Sequence, residues 1–109
     1  MATKLDELLE TLHEMIELLE ENGEQRWSKW MRQSRDWLLD SDFSGIEHLL
    51  SAYGGMGSFN DLVIGQRYEN GEFRWKENYS EMNNKLNEFR KKAWELADAI
   101  RRDRTLSDS

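Results

Sequence analysis

The chain has 109 residues, a formal net charge of −7 and no cysteine. This length suits one hydrophobic core, and five tryptophans, four phenylalanines and three tyrosines favour a folded domain over a disordered chain. The lack of cysteine excludes disulfides, thiolate metal sites and a cysteine nucleophile. The acidic start "MATKLDELLE" is unlike a signal peptide, and no apolar run approaches the ~18 residues of a membrane span. We therefore expect a soluble, cytoplasmic protein with no membrane partner.

The charge is distributed unevenly along the chain. Residues 1–22 carry one lysine and seven acidic residues, whereas residues 85–104 carry seven basic and four acidic residues. Nucleic-acid binding needs clustered lysine and arginine, so the acidic end argues against a nucleic-acid ligand. It permits a basic protein partner, because complementary fields steer association. The alternative is that the acidity only keeps the protein soluble.

Residues 3–22 show the apolar spacing of an amphipathic helix. Thr3 can cap its amino end in a capping box with Asp6, and Gly23 suits a left-handed cap at its carboxyl end. The outer face of this helix carries Glu7, Glu10, Glu14, Glu17 and Glu21.

A second helix is predicted over residues 24–39. Trp27, Trp30 and Trp37 share one face with Met31 and Leu38, which indicates core packing rather than a stacking platform for bases or sugars. The opposite face is basic and either pairs with an acidic neighbour helix or forms a small basic patch. It consists of Arg26, Lys29, Arg32 and Arg35.

A third helix is predicted over residues 42–53, with Asp40, Ser41 or Asp42 as its cap. Residues 62–75 contain the turn signal Asn70-Gly71 and form either a short hairpin or an irregular loop. A long helix then starts between residues 75 and 80 and runs to about Asp103. The sequence thus predicts a mainly α, single-domain bundle of about four helices over residues 1–104, with a frayed tail at 105–109.

The glycine-rich stretch "YGGMGSFND" at residues 53–61 invites comparison with a phosphate-binding loop. It has no lysine within reach and follows a predicted helix, whereas nucleotide-binding loops follow a strand. We expect a structural corner, in which Gly54 or Gly55 takes a positive φ and Gly57 lets the backbone pass close to a neighbouring helix. Met56 and Phe59 then point into the core, and the loop N–H groups bond to Ser58, Asn60 and Asp61.

No residue pattern indicates catalysis. His13 and His48 lie on separate predicted helices without matched carboxylates, which makes a poor metal site. No Ser-His-Asp order has motif support. We therefore expect no enzyme activity, no catalytic residue, no metal and no cofactor.

The same stretch resembles a family of small bacterial domains of unknown function. The hallmark residues, which continue into Leu62, Val63 and Ile64, are Tyr53, Gly54, Gly55, Met56, Gly57, Ser58, Phe59, Asn60 and Asp61. A "W..W" segment before this motif and a late helix with the pattern "N..L..FR...W.LA..I" extend the likeness over most of residues 4–100. Small acidic members of this family resemble immunity proteins encoded beside secreted bacterial toxins.

This resemblance implies a non-enzymatic immunity protein that binds a cognate secreted toxin and occludes its active site. The toxin would be basic, as a nuclease is. The alternative is a small intracellular helical adaptor or regulatory protein without a toxin partner. From the charge pattern we predict a partner surface formed by Glu7, Glu10, Glu14, Glu17, Glu21, Asp40, Asp42 and Asp61.

Overall fold

Four α-helices and one short hairpin form the part of the chain that the structure describes. A computed structural model describes residues 3–54 and 57–107, and of residues 67–69 and 105–107 the backbone alone. The elements are α1 (Lys4–Glu21), α2 (Gln25–Leu39), α3 (Ser44–Leu50), β1 (Gln66–Glu69), β2 (Glu72–Trp75) and α4 (Tyr79–Ser107). This mainly helical, single-domain fold is the one that the sequence predicts.

Helix α1 begins and ends at the predicted signals. The Thr3 hydroxyl accepts from the Asp6 N–H, and the Asp6 carboxylate accepts from the Thr3 N–H, both at 3.1 Å. Gly23 has a φ of +70°. Its N–H bonds to the Glu20 carbonyl, and the next N–H reaches back to the Leu19 carbonyl. These two bonds form a Schellman motif and satisfy carbonyls that the helix end would leave free.

The core lies where α1 packs against α2 and α4. Fully buried apolar side chains from the three helices fill it, namely Leu8, Leu12, Met15, Leu19, Met31, Leu86, Ala93 and Ala97. Helix α4 runs antiparallel to α1, because Lys4 Nζ bonds to Asp103 Oδ2 at 2.8 Å while Asn22 contacts Met82 at the other end. Two long helices with facing apolar stripes thus make the frame of the domain.

Helices α2 and α3 approach each other at the backbone of Gly45. A Cβ atom on Gly45 would lie 2.6 Å from the Ser34 carbonyl oxygen, so only glycine fits between the helices. Helix α3 is shorter than the predicted 42–53. The predicted cap at Asp40, Ser41 or Asp42 is wrong, because the N-cap residue is Phe43, whose side chain makes no capping hydrogen bond. The Asp42 carboxylate accepts from the Ser44 N–H at 3.0 Å, and this bond lowers the pKa of Asp42.

The tryptophans of α2 differ in their surroundings. Trp27 is 8% exposed, and its ring lies 5.2 Å from that of Phe59. Trp30 is partly buried, and its indole N–H donates to the His48 carbonyl at 2.9 Å. The Trp30 ring also stacks on the His48 imidazole at 4.2 Å, and Trp37 meets that imidazole edge-on at 5.1 Å. The predicted packing role is therefore correct, although Trp30 and Trp37 lie at the core margin.

Of the two predicted alternatives for the region between α3 and α4, a short hairpin or an irregular loop, the structure has the hairpin. Strands β1 and β2 pair antiparallel, with Glu69 opposite Glu72 across Asn70 and Gly71. Both turn residues have positive φ, of 52° and 80°, as an Asn-Gly hairpin turn requires. Helix α4 continues to Ser107, past the predicted end at Asp103. Of the predicted tail, residues 108 and 109 lie outside the described residues.

Candidate functional site

Helix α4 holds the segment that carries the glycine-rich motif through the side chains of Asn83 and Arg90. We call this segment, residues 53–64, the motif loop. The Asn83 amide accepts from the Ile64 N–H at 2.9 Å and donates to the Ile64 carbonyl at 2.8 Å. Two helical turns further along α4, Arg90 Nη1 donates to the carbonyls of Phe59 and Leu62 at 2.5 and 3.0 Å. In return, the Tyr53 hydroxyl donates to the Arg90 carbonyl at 2.9 Å. The loop is therefore held in place by both side chains and backbone of α4.

Arg90 is a buried charge, 8% exposed, and its guanidinium also bonds to Asn87. Burial lowers the pKa of Arg90, whereas the charge of Asp61 opposes this shift. Its hydrogen bonds go to backbone carbonyls and an amide, which compensate for lost hydration. Arg90 thus stabilises the loop with three of its five N–H donors.

The loop also satisfies its own backbone groups, as predicted for Ser58 and Asp61. The same prediction is wrong for Asn60, whose side chain accepts no hydrogen bond from the described loop N–H groups. The Ser58 hydroxyl accepts from the Asn60 N–H at 3.3 Å, and the Asp61 carboxylate accepts from the Gly57 N–H at 2.8 Å. Phe59 is fully buried, as predicted, within a short 3₁₀ turn (Phe59–Asp61). The predicted core position of Met56 lies outside the described residues.

Two predictions about the loop glycines, the close approach at Gly57 and the positive φ of Gly54, are wrong. Gly57 has no neighbour within 4 Å of a Cβ position, so it is not needed for close approach. It is needed instead for its φ of +74°. Gly54 does not adopt a positive φ, and Gly55, the alternative, lies outside the described residues. The glycine that allows close approach in this region is Gly65, where a Cβ would lie 2.8 Å from Tyr79 Cβ.

A cleft of about 470 Å³ opens between this loop and α4. Its lining residues are Tyr53, Asn60, Asn87, Arg90, Lys91, Trp94 and Glu95. The Tyr53 hydroxyl is committed to the Arg90 carbonyl, and burial raises the pKa of Tyr53, so a reactive phenolate is disfavoured. The cleft has the size of a small-molecule pocket without an activated nucleophile of its own.

The predicted acidic face of α1 forms one exposed row. We call it the glutamate stripe, and it comprises Glu7, Glu10, Glu14, Glu17 and Glu21. All five are exposed and lie on the side of α1 opposite the buried Leu8, Leu12 and Leu19. From Glu7 to Glu21 the stripe is about 21 Å long at 1.5 Å per residue.

The stripe carboxylates differ from the other acids of α1 in their pairing. Among the described side chains, the stripe member next to a basic residue is Glu17, whose Oε1 lies 3.2 Å from His13 Nε2. Glu20, which lies off the stripe, pairs with Arg32 of α2. The basic row of α2 thus partly serves as the predicted partner of α1. The stripe faces away from that row, and its carboxylates are exposed to solvent.

The other three predicted acidic residues lie elsewhere. Asp40 and Asp42 are exposed in the turn between α2 and α3, near the end of the molecule where α1 begins. Asp42 borders a shallow depression with Arg101 and Arg104. Asp61 is exposed in the motif loop and is bonded to the Gly57 N–H. The described contacts therefore gather the five glutamates on one face and leave the three aspartates in two separate loops.

Sequence reasoning missed a surface on the hairpin and the start of α4. Phe73, Trp75 and Tyr79 form what we call the aromatic ladder. The ring centroids are 5.1 Å apart from Phe73 to Trp75 and 4.9 Å apart from Trp75 to Tyr79. The three residues are 44%, 43% and 40% exposed. The signal was present in the alternation of Phe73 and Trp75 beside the Asn70-Gly71 turn, which places both on one side of a strand.

Within the described ranges, the structure holds no cluster of three or more His, Asp or Glu side chains that is arranged to bind a metal ion. In the same part of the chain, no helix combines the length and apolarity that crossing a membrane would take.

The fold and surfaces define a small helical domain with a clamped loop and an exposed acidic face. Residues 20–73 match a domain of unknown function, DUF6966. The matched segment spans α2, α3 and the motif loop and ends within the hairpin, before α4 begins. No curated protein and no solved structure matches the chain.

Proposed function

We propose that this protein is a non-enzymatic immunity protein, which binds a cognate secreted toxin and neutralises it by covering its active site. The observation that carries the proposal is the glutamate stripe, a row of carboxylates that faces solvent and is largely free of internal ion pairs. The resemblance of the motif at Tyr53–Asp61 to the small bacterial family points the same way.

The stripe lowers the stability of the isolated helix. Like charges three and four residues apart destabilise a helix by about 0.2–0.5 kcal/mol per pair. Lys4 and Arg32 form ion pairs with Asp103 and Glu20, which lie outside the stripe, and so reduce the charge repulsion there. A basic partner would relieve the stripe itself, and this gain on binding supports a role in recognition.

The proposed mechanism is steric and electrostatic occlusion. If the toxin is a nuclease, its substrate groove is basic because it must bind phosphates. A rigid helix with five carboxylates along about 21 Å can lie in such a groove in place of the phosphate backbone. The complementary charges also speed the encounter, which matters for an inhibitor that must act before the toxin does.

The first test is co-expression with the protein encoded by the neighbouring upstream gene. We expect a stable complex on gel filtration and restored growth of cells that produce that protein. If the neighbouring product is a toxin but no complex forms, the immunity function is wrong and the adaptor alternative gains support.

The second test reverses charges on the stripe. Glu10, Glu14 and Glu17 are replaced together by lysine, and we expect slower association and a weaker dependence of the association rate on salt. The matched control changes the exposed residues Glu47, Glu88 and Glu95 to lysine, which shifts the net charge by the same amount. Equal effects of the two triple variants would show that net charge matters and the stripe does not.

A further inference from the structure

We propose that the aromatic ladder is the apolar anchor of the partner-binding surface and inserts into an apolar pocket at the margin of a basic protein. This inference rests on the proposed function and adds the residues that keep the complex together.

The ladder exposes large apolar rings in a continuous row. Each of its residues stays at least 40% exposed although its ring contacts the next. The rings also stabilise the hairpin, because Trp75 contacts Tyr79 at the start of α4, yet a large part of each side chain remains exposed to solvent. Exposed aromatic residues in a row are typical of the few side chains that dominate binding energy.

The scaffold under the ladder is fixed at its base. The Lys76 N–H donates to the Gly65 carbonyl at 2.8 Å and closes the hairpin. Gly65 in turn passes directly over Tyr79, in a space that no side chain could share. The ladder is therefore presented in one arrangement, and little conformational entropy is lost when it binds.

The ladder and the glutamate stripe meet at one corner of the molecule. Lys76, the residue after Trp75, bonds through Nζ to Asn22 Oδ1 at 3.0 Å and contacts the Glu21 carbonyl at 3.5 Å. Glu21 is the last member of the stripe. A single partner that covers the carboxyl end of α1 therefore also reaches the ladder.

Charge indicates what kind of partner this is. On β2, Arg74 pairs with Glu72 at 3.2 Å, so the strand that carries the ladder offers apolar area without net charge. The adjoining stripe offers the negative charge. The complementary surface is therefore basic opposite α1 and apolar opposite Trp75. On such a surface the stripe governs the association rate, whereas the ladder governs the dissociation rate.

The experiment compares dissociation rates from the immobilised product of the upstream gene. Trp75→Gln and Phe73→Gln should each raise the dissociation rate roughly tenfold or more and leave the association rate within about twofold. Trp75→Phe should retain most of the affinity. The matched control is Trp94→Gln, since Trp94 is 39% exposed but lies on α4 in the cleft beside the motif loop. Melting temperatures of all variants are measured in parallel.

The outcomes separate the two proposals. If the complex forms normally and its dissociation rate is unchanged by Trp75→Gln and Phe73→Gln, the anchor role is wrong and the proposed function stands. The anchor role also fails if the ladder variants lose stability in step with binding, or if Trp94→Gln has the same effect. If the free protein dimerises and Trp75→Gln abolishes the dimer, the ladder's occupant is a second copy and the inference is wrong. If no complex forms with the wild-type chain, both proposals fail.

Discussion

Asn83 and Ile64 are joined by two hydrogen bonds in which a side-chain amide faces a backbone peptide. Asn83 Oδ1 accepts from the Ile64 N–H at 2.9 Å, and Asn83 Nδ2 donates to the Ile64 carbonyl at 2.8 Å. The amide thus satisfies Ile64 as a neighbouring β-strand would. Ile64 is buried, so its N–H and carbonyl need partners within the protein, and the exit of the motif loop depends on α4 for them.

Replacement of Asn83 by alanine should therefore destabilise the protein. It leaves a buried N–H and a buried carbonyl of Ile64 without partners, and at about 1–3 kcal/mol for each we expect a loss of about 2–6 kcal/mol. Urea unfolding measures the effect. Asn84→Ala is the control, because Asn84 is exposed on the next position of the same helix and its loss should change stability by at most about 0.5 kcal/mol. Similar losses for the two variants would contradict the bridging role of Asn83.

The second prediction concerns Gly57, whose φ of +74° lies in the left-handed region while the space around it is open. Gly57→Val should cost about 1–3 kcal/mol, because a β-branched residue is strained at this φ. Gly57→Asn should cost less, since asparagine tolerates this conformation. The two melting temperatures decide the matter. If valine and asparagine destabilise equally, side-chain volume rather than backbone conformation limits this position.

The third prediction is a loss of stability at mildly acidic pH. Burial against Trp30 and Trp37 lowers the pKa of His48, although the backbone of Trp30 partly opposes the shift. The unfolded chain titrates near the ordinary value of about 6.5 and therefore binds more protons than the folded protein just below that pH. His48 thus contributes its full stability above about pH 6.5, and this contribution falls as the pH drops through the folded pKa.

Urea unfolding at pH 7.5 and 5.5 tests this effect. His48→Phe keeps a flat ring between the tryptophans but cannot bind a proton, so its stability should change less between the two values. His13→Gln is the control, because His13 is exposed on α1. If His48→Phe loses as much stability on acidification as the wild-type protein, another group causes the loss.

The helical parts of this fold were predictable because their signals are local. The Thr3–Asp6 capping box, Gly23 and the apolar period of α1 all act within a few residues, and the structure has each of them as expected. The same holds for the Asn70-Gly71 turn. The end of α3 was less predictable, because helix ends depend on what the following loop packs against.

The contacts that fix the motif loop are not local. In the sequence, Arg90 is one of several charged residues of an amphipathic helix. It can be buried because its guanidinium donates to carbonyl groups that lie 28 and 31 positions earlier in the chain. The need for glycine at position 45 could not be predicted, because the 2.6 Å between a Cβ there and the Ser34 carbonyl oxygen depends on the packing of α2 on α3. The stripe could be read from the period of α1, whereas the exposure of the aromatic ladder required the tertiary structure.

The clamp from α4 has a consequence for how this chain is divided. The segment that matches the family, residues 20–73, contains the motif loop but neither Asn83 nor Arg90, and it lacks most of α1. Expressed alone, it would lack α4 and most of α1, which pack against α3 and α2 in the full chain, and the loop carbonyls would lose their donors. The matched segment is therefore smaller than the unit that folds.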